Sequence, residues 1–217
     1  MRIACLHTVD SNIAVFEAAA SDLEKAGLPG VTLTHHVRAD LLKRAEAVGH
    51  LTDEIRDETA DLLRELAAGV DAVLFTCSTV GPAAERADLL AAVPILRVDG
   101  ALASAAIARA AAGKGRVDVL CAVKTTVEPT HALFERMADG TEVTIKMHLA
   151  PNAWDAFRAG DIPTYHRLVA EAADKLYADG AEIIALAQAS MAGAAALCTR
   201  GTPLTSPAAG LAAAARS

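Results

Sequence analysis

The chain has 217 residues, a net charge of −7 and 51 alanines, and 53% of its residues are hydrophobic. This composition excludes a disordered chain, because the apolar fraction is high and only 22% of the residues are charged. Only 3% are aromatic, which with the negative charge disfavours nucleic-acid binding. Because no signal peptide, membrane-spanning run or disulfide framework is visible, we expect a cytoplasmic protein that binds no membrane.

Short apolar runs alternate with longer helical stretches along the whole sequence. Most of these runs are continuous, which is typical of parallel strands buried on both faces. We predict strands at residues 2–7, 30–35, 72–76, 94–98, 116–123, 142–148 and 182–187. We predict helices at residues 11–26, 52–68 and 163–178, each with an apolar face. The alternation predicts an α/β fold with mostly parallel sheet.

The sequence also indicates an internal duplication. Residues 69–80 and 180–191 share one order: glycine, acidic residue, apolar strand and polar turn. Thr8 and the segment after it match Thr126 and its following segment at a similar offset. We therefore predict two similar, flavodoxin-like α/β domains with pseudo-two-fold symmetry. Their expected bounds are residues 1–97 plus 200–217 and residues 98–199, with the active site in the cleft between them.

Cys77 is the strongest single candidate for chemistry. It directly follows a predicted strand, and we expect Ser78 and Thr79 to cap the helix that comes next. The positive end of that helix would lower the pKa of the thiol and favour the thiolate. The alternative interpretation is a small buried cysteine that only packs.

Polar residues follow other predicted strands as well. Thr125 and Thr126 can cradle a carboxylate or phosphate, or can simply cap a helix. His7 can act as an acid or base near neutral pH, or can be a structural hydrogen-bonding group. Gln188 matches Cys77 in the second half, and an amide binds but carries no proton in turnover. Further candidate substrate-binding residues are Thr8, Asn12, Ser78, Thr79 and Ser190.

The other cysteines and histidines indicate no additional site. Cys5 and Cys121 lie inside apolar strands and Cys198 lies among alanines on an expected helix, so we interpret them as structural. His35 and His36 are adjacent in a strand and point to opposite faces, so we expect no metal. Glycine-rich phosphate or dinucleotide loops are absent from the sequence.

Four segments, in this order, resemble the aspartate/glutamate/hydantoin racemase superfamily. They are Phe-Thr-Cys-Ser-Thr at 75–79, Val-Lys-Thr-Thr at 123–126, Ile-Ala-Leu-Ala-Gln-Ala-Ser-Met at 184–191 and Thr-Pro-Leu-Thr-Ser-Pro-Ala-Ala-Gly at 202–210. The resemblance implies two α/β domains and a C-terminal helix that returns to the first domain. It also implies a small carboxylate or cyclic amide substrate, no cofactor, and a homo-oligomer.

In that superfamily two cysteines face each other, one removing the proton α to a carboxylate and the other reprotonating the opposite face. Cys77 matches the first cysteine, and the second falls on Gln188. The resemblance therefore implies an isomerase of racemase type with Cys77 as the catalytic thiol and Gln188 opposite it. Two-sided racemisation would need His7 or another group as the partner of Cys77. One alternative is a single-cysteine decarboxylase similar to arylmalonate decarboxylase, although that enzyme retains the second cysteine. Another alternative is a catalytically silent carboxylate-binding protein.

The charged residues near these motifs bear on the substrate. Only Lys124 and Arg200 adjoin them, so hydroxyls and amides are the main expected donors. We therefore expect a monoanionic or neutral substrate rather than a dicarboxylate.

Overall fold

The computed structural model describes residues 1–27 and 30–217, which divide into two compact units. One unit is Met1–Ala101 with Pro207–Ser217, and the other is Leu102–Ser206. Each has a four-stranded parallel sheet with helices along its sequence, which confirms the predicted α/β class. In the two described stretches, no helix is both long and apolar enough to cross a membrane.

The first unit contains the sheet order β2-β1-β3-β4. Its strands are β1 Arg2–His7, β2 Thr32–Val37, β3 Ala72–Phe75 and β4 Ile95–Arg97. Its helices are α1 Asn12–Lys25, α2 Ala39–Val48, α3 Asp53–Leu66, α4 Pro82–Asp88 and the beginning of α5 Val98–Ala111. β1 pairs with β2 and β3 in parallel, so the carboxyl ends of these strands lie at one edge.

The second unit repeats this topology in the order β6-β5-β7-β8. Its strands are β5 Arg116–Cys121, β6 Thr144–Leu149, β7 Ile183–Leu186 and β8 Leu204–Thr205. Its helices are α6 Val127–Ala138, α7 Ala153–Arg158 and α8 Ile162–Ala178, and α9 Ser206–Ala214 then returns the chain to the first unit. The two sheets therefore have corresponding strand orders, as expected of two similar domains.

Continuous apolar strands form the two cores because both of their faces are covered. All four residues of β3 are buried, and Leu6 and Leu63 pack into the same core. Alanine contributes through its small size, since Ala83 and Ala87 let α4 bury one face closely against this core. The second core is built around Leu120, Tyr165, Val169, Leu186 and Met191.

The segment after β7 differs from the expected α-helix. Ala189–Leu197 is a 3₁₀ helix, and its first turn is closed by the Met191 amide donating to the Gln188 carbonyl. The Ser190 carbonyl accepts from His166 Nε2 at 3.0 Å instead of serving an α-helical turn. Cys198 therefore follows the helix rather than lying on it, and its thiol contacts the Ala194 carbonyl.

Candidate active site

Cys77 lies just beyond the end of β3 and is buried, with 7% of its surface exposed. Burial raises the pKa of the Cys77 thiol, while hydrogen bonds from the Thr8 side chain and from the backbone of Val80 and Thr79 lower it. The charge of Asp99 acts in the same direction as burial. The balance is a raised pKa, so the thiol is held in its neutral form at neutral pH.

This result corrects the expected helix-terminus effect on Cys77. The next helix, α4, begins only at Pro82 with Gly81 as its N-cap residue. Within the described chain no side-chain hydrogen bond caps that helix, so the capping role predicted for Ser78 and Thr79 is wrong. Ser78 is half-buried and Thr79 is exposed, and the Ser78 carbonyl accepts from the amide of Gly81 at 3.2 Å.

His7 is fully buried and has partners on both ring nitrogens. Its Nδ1 lies 2.8 Å from Thr76 Oγ1, and its Nε2 lies 2.8 Å from His35 Nδ1. Burial, followed by the charges of His35 and His36, lowers the pKa of His7 to about 4. The near-neutral acid or base expected from the sequence is therefore absent at this position, because the imidazole is desolvated and held as the neutral form.

Thr76, the residue before Cys77, makes several hydrogen bonds with its neighbours besides the one with His7. Its hydroxyl also accepts from Asn12 Nδ2 at 3.3 Å and lies 3.2 Å from the Leu6 carbonyl. The predicted residues His7, Thr8, Asn12 and Cys77 thus come together at the carboxyl ends of β1 and β3. Asn12 is part of this hydrogen-bond network through its bond to Thr76.

Arg97 is a residue of this region that sequence reasoning missed. It bonds both oxygens of Asp99 at 2.8 Å and one oxygen of Glu85 at 2.6 Å. A Cβ added to Gly81 would lie 2.6 Å from Arg97 Nη2, so the guanidinium packs directly against the loop that follows Cys77. Arg97 reaches this loop because it pairs with Phe75 in the sheet. A single sequence does not show which residues pair between strands.

In the second unit, Gln188 joins the ends of β5 and β7. Its Oε1 accepts from the Ala122 amide at 2.8 Å, and its Nε2 donates to Thr126 Oγ1 at 2.8 Å. The Thr126 hydroxyl in turn donates to the Val123 carbonyl at 2.8 Å. Thr126 is therefore a partner of Gln188, whereas its predecessor Thr125 is exposed.

The same group of side chains surrounds Cys121. Burial raises the pKa of the Cys121 thiol, while hydrogen bonds from the side chains of Gln188, Thr126 and Thr130 lower it. The thiol itself is fully buried at the last position of β5. Its packing agrees with the structural role inferred for Cys121, although its polar surroundings were not foreseen.

Ser190 has a partner that sequence reasoning also missed. The Tyr165 hydroxyl lies 2.9 Å from Ser190 Oγ, and Tyr165 is fully buried on α8. The apolar periodicity of α8 identifies Tyr165 as a core position but gives no sign that its hydroxyl reaches the end of β7. Thr126 and Gln188 therefore form a second polar group at the carboxyl ends of β5 and β7, and Ser190, which is bonded to Tyr165, follows Gln188 by two residues.

The chain matches the Asp/Glu/Hydantoin racemase family model over residues 6–215. A comparison with curated proteins gave no match.

Several solved structures share the fold. An aspartate racemase homologue from Pyrococcus horikoshii has a TM-score of 0.72 and 12% identity, covering 100% of this chain and 99% of that one. Allantoin racemase from Pseudomonas fluorescens has a TM-score of 0.64 and 16% identity, covering 99% and 89%. A maleate isomerase from Pseudomonas putida, crystallised with maleate, has a TM-score of 0.58 and 19% identity, covering 98% and 90%. These likenesses concern the fold, whereas the family match spans nearly every residue, and the chain therefore belongs to the Asp/Glu/hydantoin racemase family.

Proposed function

We propose that this chain is a cofactor-independent enzyme that transfers a proton at the carbon α to a carboxylate or carbonyl group of a small molecule. Cys77 is the thiol that reacts. The observation that carries the proposal is the setting of Cys77, buried at a strand end with the Thr8 side chain and two backbone groups hydrogen-bonded to it. Racemisation or a related isomerisation is the first reaction we propose, because it is the reaction of the family.

The hydrogen bonds around Cys77 favour the charge that forms on sulfur during turnover. In racemisation the Cys77 thiol first loses its proton to solvent, the thiolate then takes the α-proton and leaves the electron pair on the α-carbon, and solvent returns a proton to the opposite face. Thr8 and the backbone of Thr79 and Val80 stabilise the thiolate without having to reorganise. Ser78 and Thr79 lie next to the thiol in the chain, and with the exposed Thr125 they are the hydroxyls that we assign to binding the substrate. Arg97 is already paired with Asp99 and Glu85, which supports a monoanionic or neutral substrate such as a cyclic amide.

Gln188 occupies the position that matches the second cysteine of the family. Its amide oxygen and nitrogen are both used, by Ala122 and Thr126, and an amide neither gives nor takes a proton during turnover. We therefore assign Gln188 to holding Thr126 and the strand ends. His7, with both ring nitrogens occupied, is assigned to positioning Thr76 beside Cys77.

The raised pKa of Cys77 favours a second candidate, a one-thiol decarboxylase. In that reaction the bond between the α-carbon and the carboxyl carbon breaks, CO₂ leaves, and the electron pair stays on the α-carbon as an enediolate. The Cys77 thiol then donates its proton to that carbon, and the thiolate is reprotonated by solvent. A thiol that is neutral at rest is in the form this step requires.

Incubation in D₂O tests both reactions with amino acids, hydantoins and α-substituted malonates as substrates. Exchange of the α-proton without release of CO₂ indicates an isomerase, and release of CO₂ with one deuteron incorporated indicates a decarboxylase. Cys77→Ser is expected to lower either rate by about 10²–10⁴-fold, the usual contribution of a positioned acid or base.

The matched control is Cys198→Ser, which changes a partly exposed thiol on the other unit and should keep the full rate. An unchanged rate in Cys77→Ser would show that the site assignment is wrong. Saturable binding of these substrates without exchange or CO₂ release would identify the chain as a silent carboxylate-binding protein and overturn the enzyme proposal.

A further inference from the structure

Three side chains that commonly bind metals meet on one face of the first sheet. Cys5 and His7 are two residues apart on β1 and share a face, and His35 on β2 pairs directly with Cys5. One ligand atom from each lies within 4.8 Å of the others. Local spacing in the sequence predicts no metal here, whereas this cluster arises from the register between two strands.

The outer nitrogens of the two imidazole rings have the partners that metal-bound histidines have. The inner nitrogens, His7 Nε2 and His35 Nδ1, face each other at 2.8 Å. The outer nitrogens already have oxygen partners, His7 Nδ1 with Thr76 Oγ1 at 2.8 Å and His35 Nε2 with Glu17 Oε1 at 2.9 Å. Metal-bound histidines almost always donate their second ring N–H in this way, which fixes the tautomer and the ring orientation.

We propose that Cys5 Sγ, His7 Nε2 and His35 Nδ1 bind one divalent zinc ion or an ion of similar chemistry. One thiolate and two imidazoles are the donor set that Zn²⁺ accepts and that Mg²⁺ and Ca²⁺ do not prefer. Three protein donors leave one tetrahedral position for water. Bonds of about 2.0–2.3 Å separate such donors by roughly 3.3–3.8 Å, so the two rings have to part by about half an ångström.

The protons and charges of this site balance. On binding, the Cys5 thiol loses its proton to solvent, and nothing is oxidised or reduced. His7 carries its ring proton on Nδ1 and donates to Thr76, whose hydroxyl has a backbone carbonyl 3.2 Å away as its own acceptor. His35 carries its proton on Nε2 and donates to Glu17. The two positive charges of the ion then meet one thiolate and one carboxylate.

Burial indicates the route by which this ion enters. Cys5 and His7 are fully buried, whereas the side chains of His35 and Glu17 are 12% and 57% exposed. An ion that enters past Glu17 would join β1 to β2 and would hold His7, and through it Thr76, in place. This proposal does not depend on the reaction assigned to Cys77.

Cobalt titration tests the site on the full-length protein. After treatment with a chelator, Co²⁺ is expected to bind at one ion per chain, to give a thiolate-to-cobalt charge-transfer band, and to be displaced by Zn²⁺. Cys5→Ser should abolish the band and weaken binding at least tenfold. Cys198→Ser and Cys77→Ala should keep both the band and the stoichiometry, which separates this site from the proposed active site.

A second variant keeps the test decisive if Cys5→Ser does not fold. Glu17 lies on the exposed side of α1, and Glu17→Gln replaces the carboxylate that accepts from His35 by a neutral amide. The loss of this negative charge should weaken Co²⁺ binding by about 10–100-fold. No saturable binding at one ion per chain, unchanged affinity in Glu17→Gln, or a band that survives Cys5→Ser would overturn the proposal. In those outcomes the same contacts form a hydrogen-bond chain without metal.

Discussion

The side-chain amide of Gln188 donates to the hydroxyl of Thr126, with 2.8 Å between Nε2 and Oγ1. In the first unit the corresponding strand end carries Cys77, whose thiol is hydrogen-bonded by the side chain of Thr8. The first unit thus places Thr8 beside a thiol, which can exchange a proton. The second unit places Thr126 beside an amide, which cannot. This difference supports one-thiol chemistry and leads to separate tests of each strand end.

Removal of the Gln188 side chain is expected to destabilise the second unit. Gln188→Ala leaves the Ala122 amide without its acceptor, and Ala122 is only 3% exposed. An unsatisfied buried donor costs about 1–3 kcal/mol, so the free energy of unfolding in urea should fall by that amount. Gln188→Glu keeps an oxygen for the same amide and should lose less. Equal stability of Gln188→Ala and the wild type would contradict the bridging role.

The reactivity of Cys77 should depend on pH and on Thr8. Because burial raises the pKa of this thiol above its ordinary value of 9.0, alkylation by iodoacetamide should still be accelerating above pH 9. Thr8→Val removes a hydrogen bond that favours the thiolate, so the pKa should rise further. Alkylation at a fixed pH should then slow by roughly three- to tenfold.

Mass spectrometry of the Cys77 peptide measures this rate directly. Thr144→Val, at an exposed threonine of β6 in the second unit, is the matched control and should leave the rate unchanged. Faster alkylation in Thr8→Val would mean that the hydroxyl shields the thiol rather than stabilising its charge.

These tests concern residues that the sequence identified to different degrees. The position of Cys77 after an apolar strand was predictable, because continuous apolar runs mark buried parallel strands and their ends. The direction of its pKa shift was not, because burial depends on what packs around the loop. Arg97 and the pairing of His35 with Cys5 depend on strand register, which one sequence does not reveal. Local reasoning therefore located strand ends but missed partners from neighbouring strands.

Tyr165 should make stability decrease in alkaline solution. Burial raises the pKa of Tyr165 to about 12, despite the hydrogen bond from Ser190. An unfolded tyrosine ionises near pH 10, so this group's contribution is complete below about pH 10 and is lost as the pH rises towards 12. One proton corresponds to a slope of about 1.4 kcal/mol per pH unit. Tyr165→Phe should remove this slope. Urea unfolding at several pH values from 9 to 12 measures it in both proteins. An identical slope in the two proteins would show that the phenol ionises as readily in the folded state as in the unfolded state.

Gly193 should not tolerate a side chain. A Cβ at this position would lie 2.7 Å from Nδ1 of His166, whose Nε2 bonds the Ser190 carbonyl. Gly193→Ala must therefore displace the ring and break that bond, with an expected loss of about 1–3 kcal/mol in the free energy of unfolding. The double-mutant cycle with His166→Ala isolates the cause, because Gly193→Ala should cost little once the ring is gone. An equal cost in both backgrounds would place the strain in the backbone of the 3₁₀ helix instead of in the contact with His166.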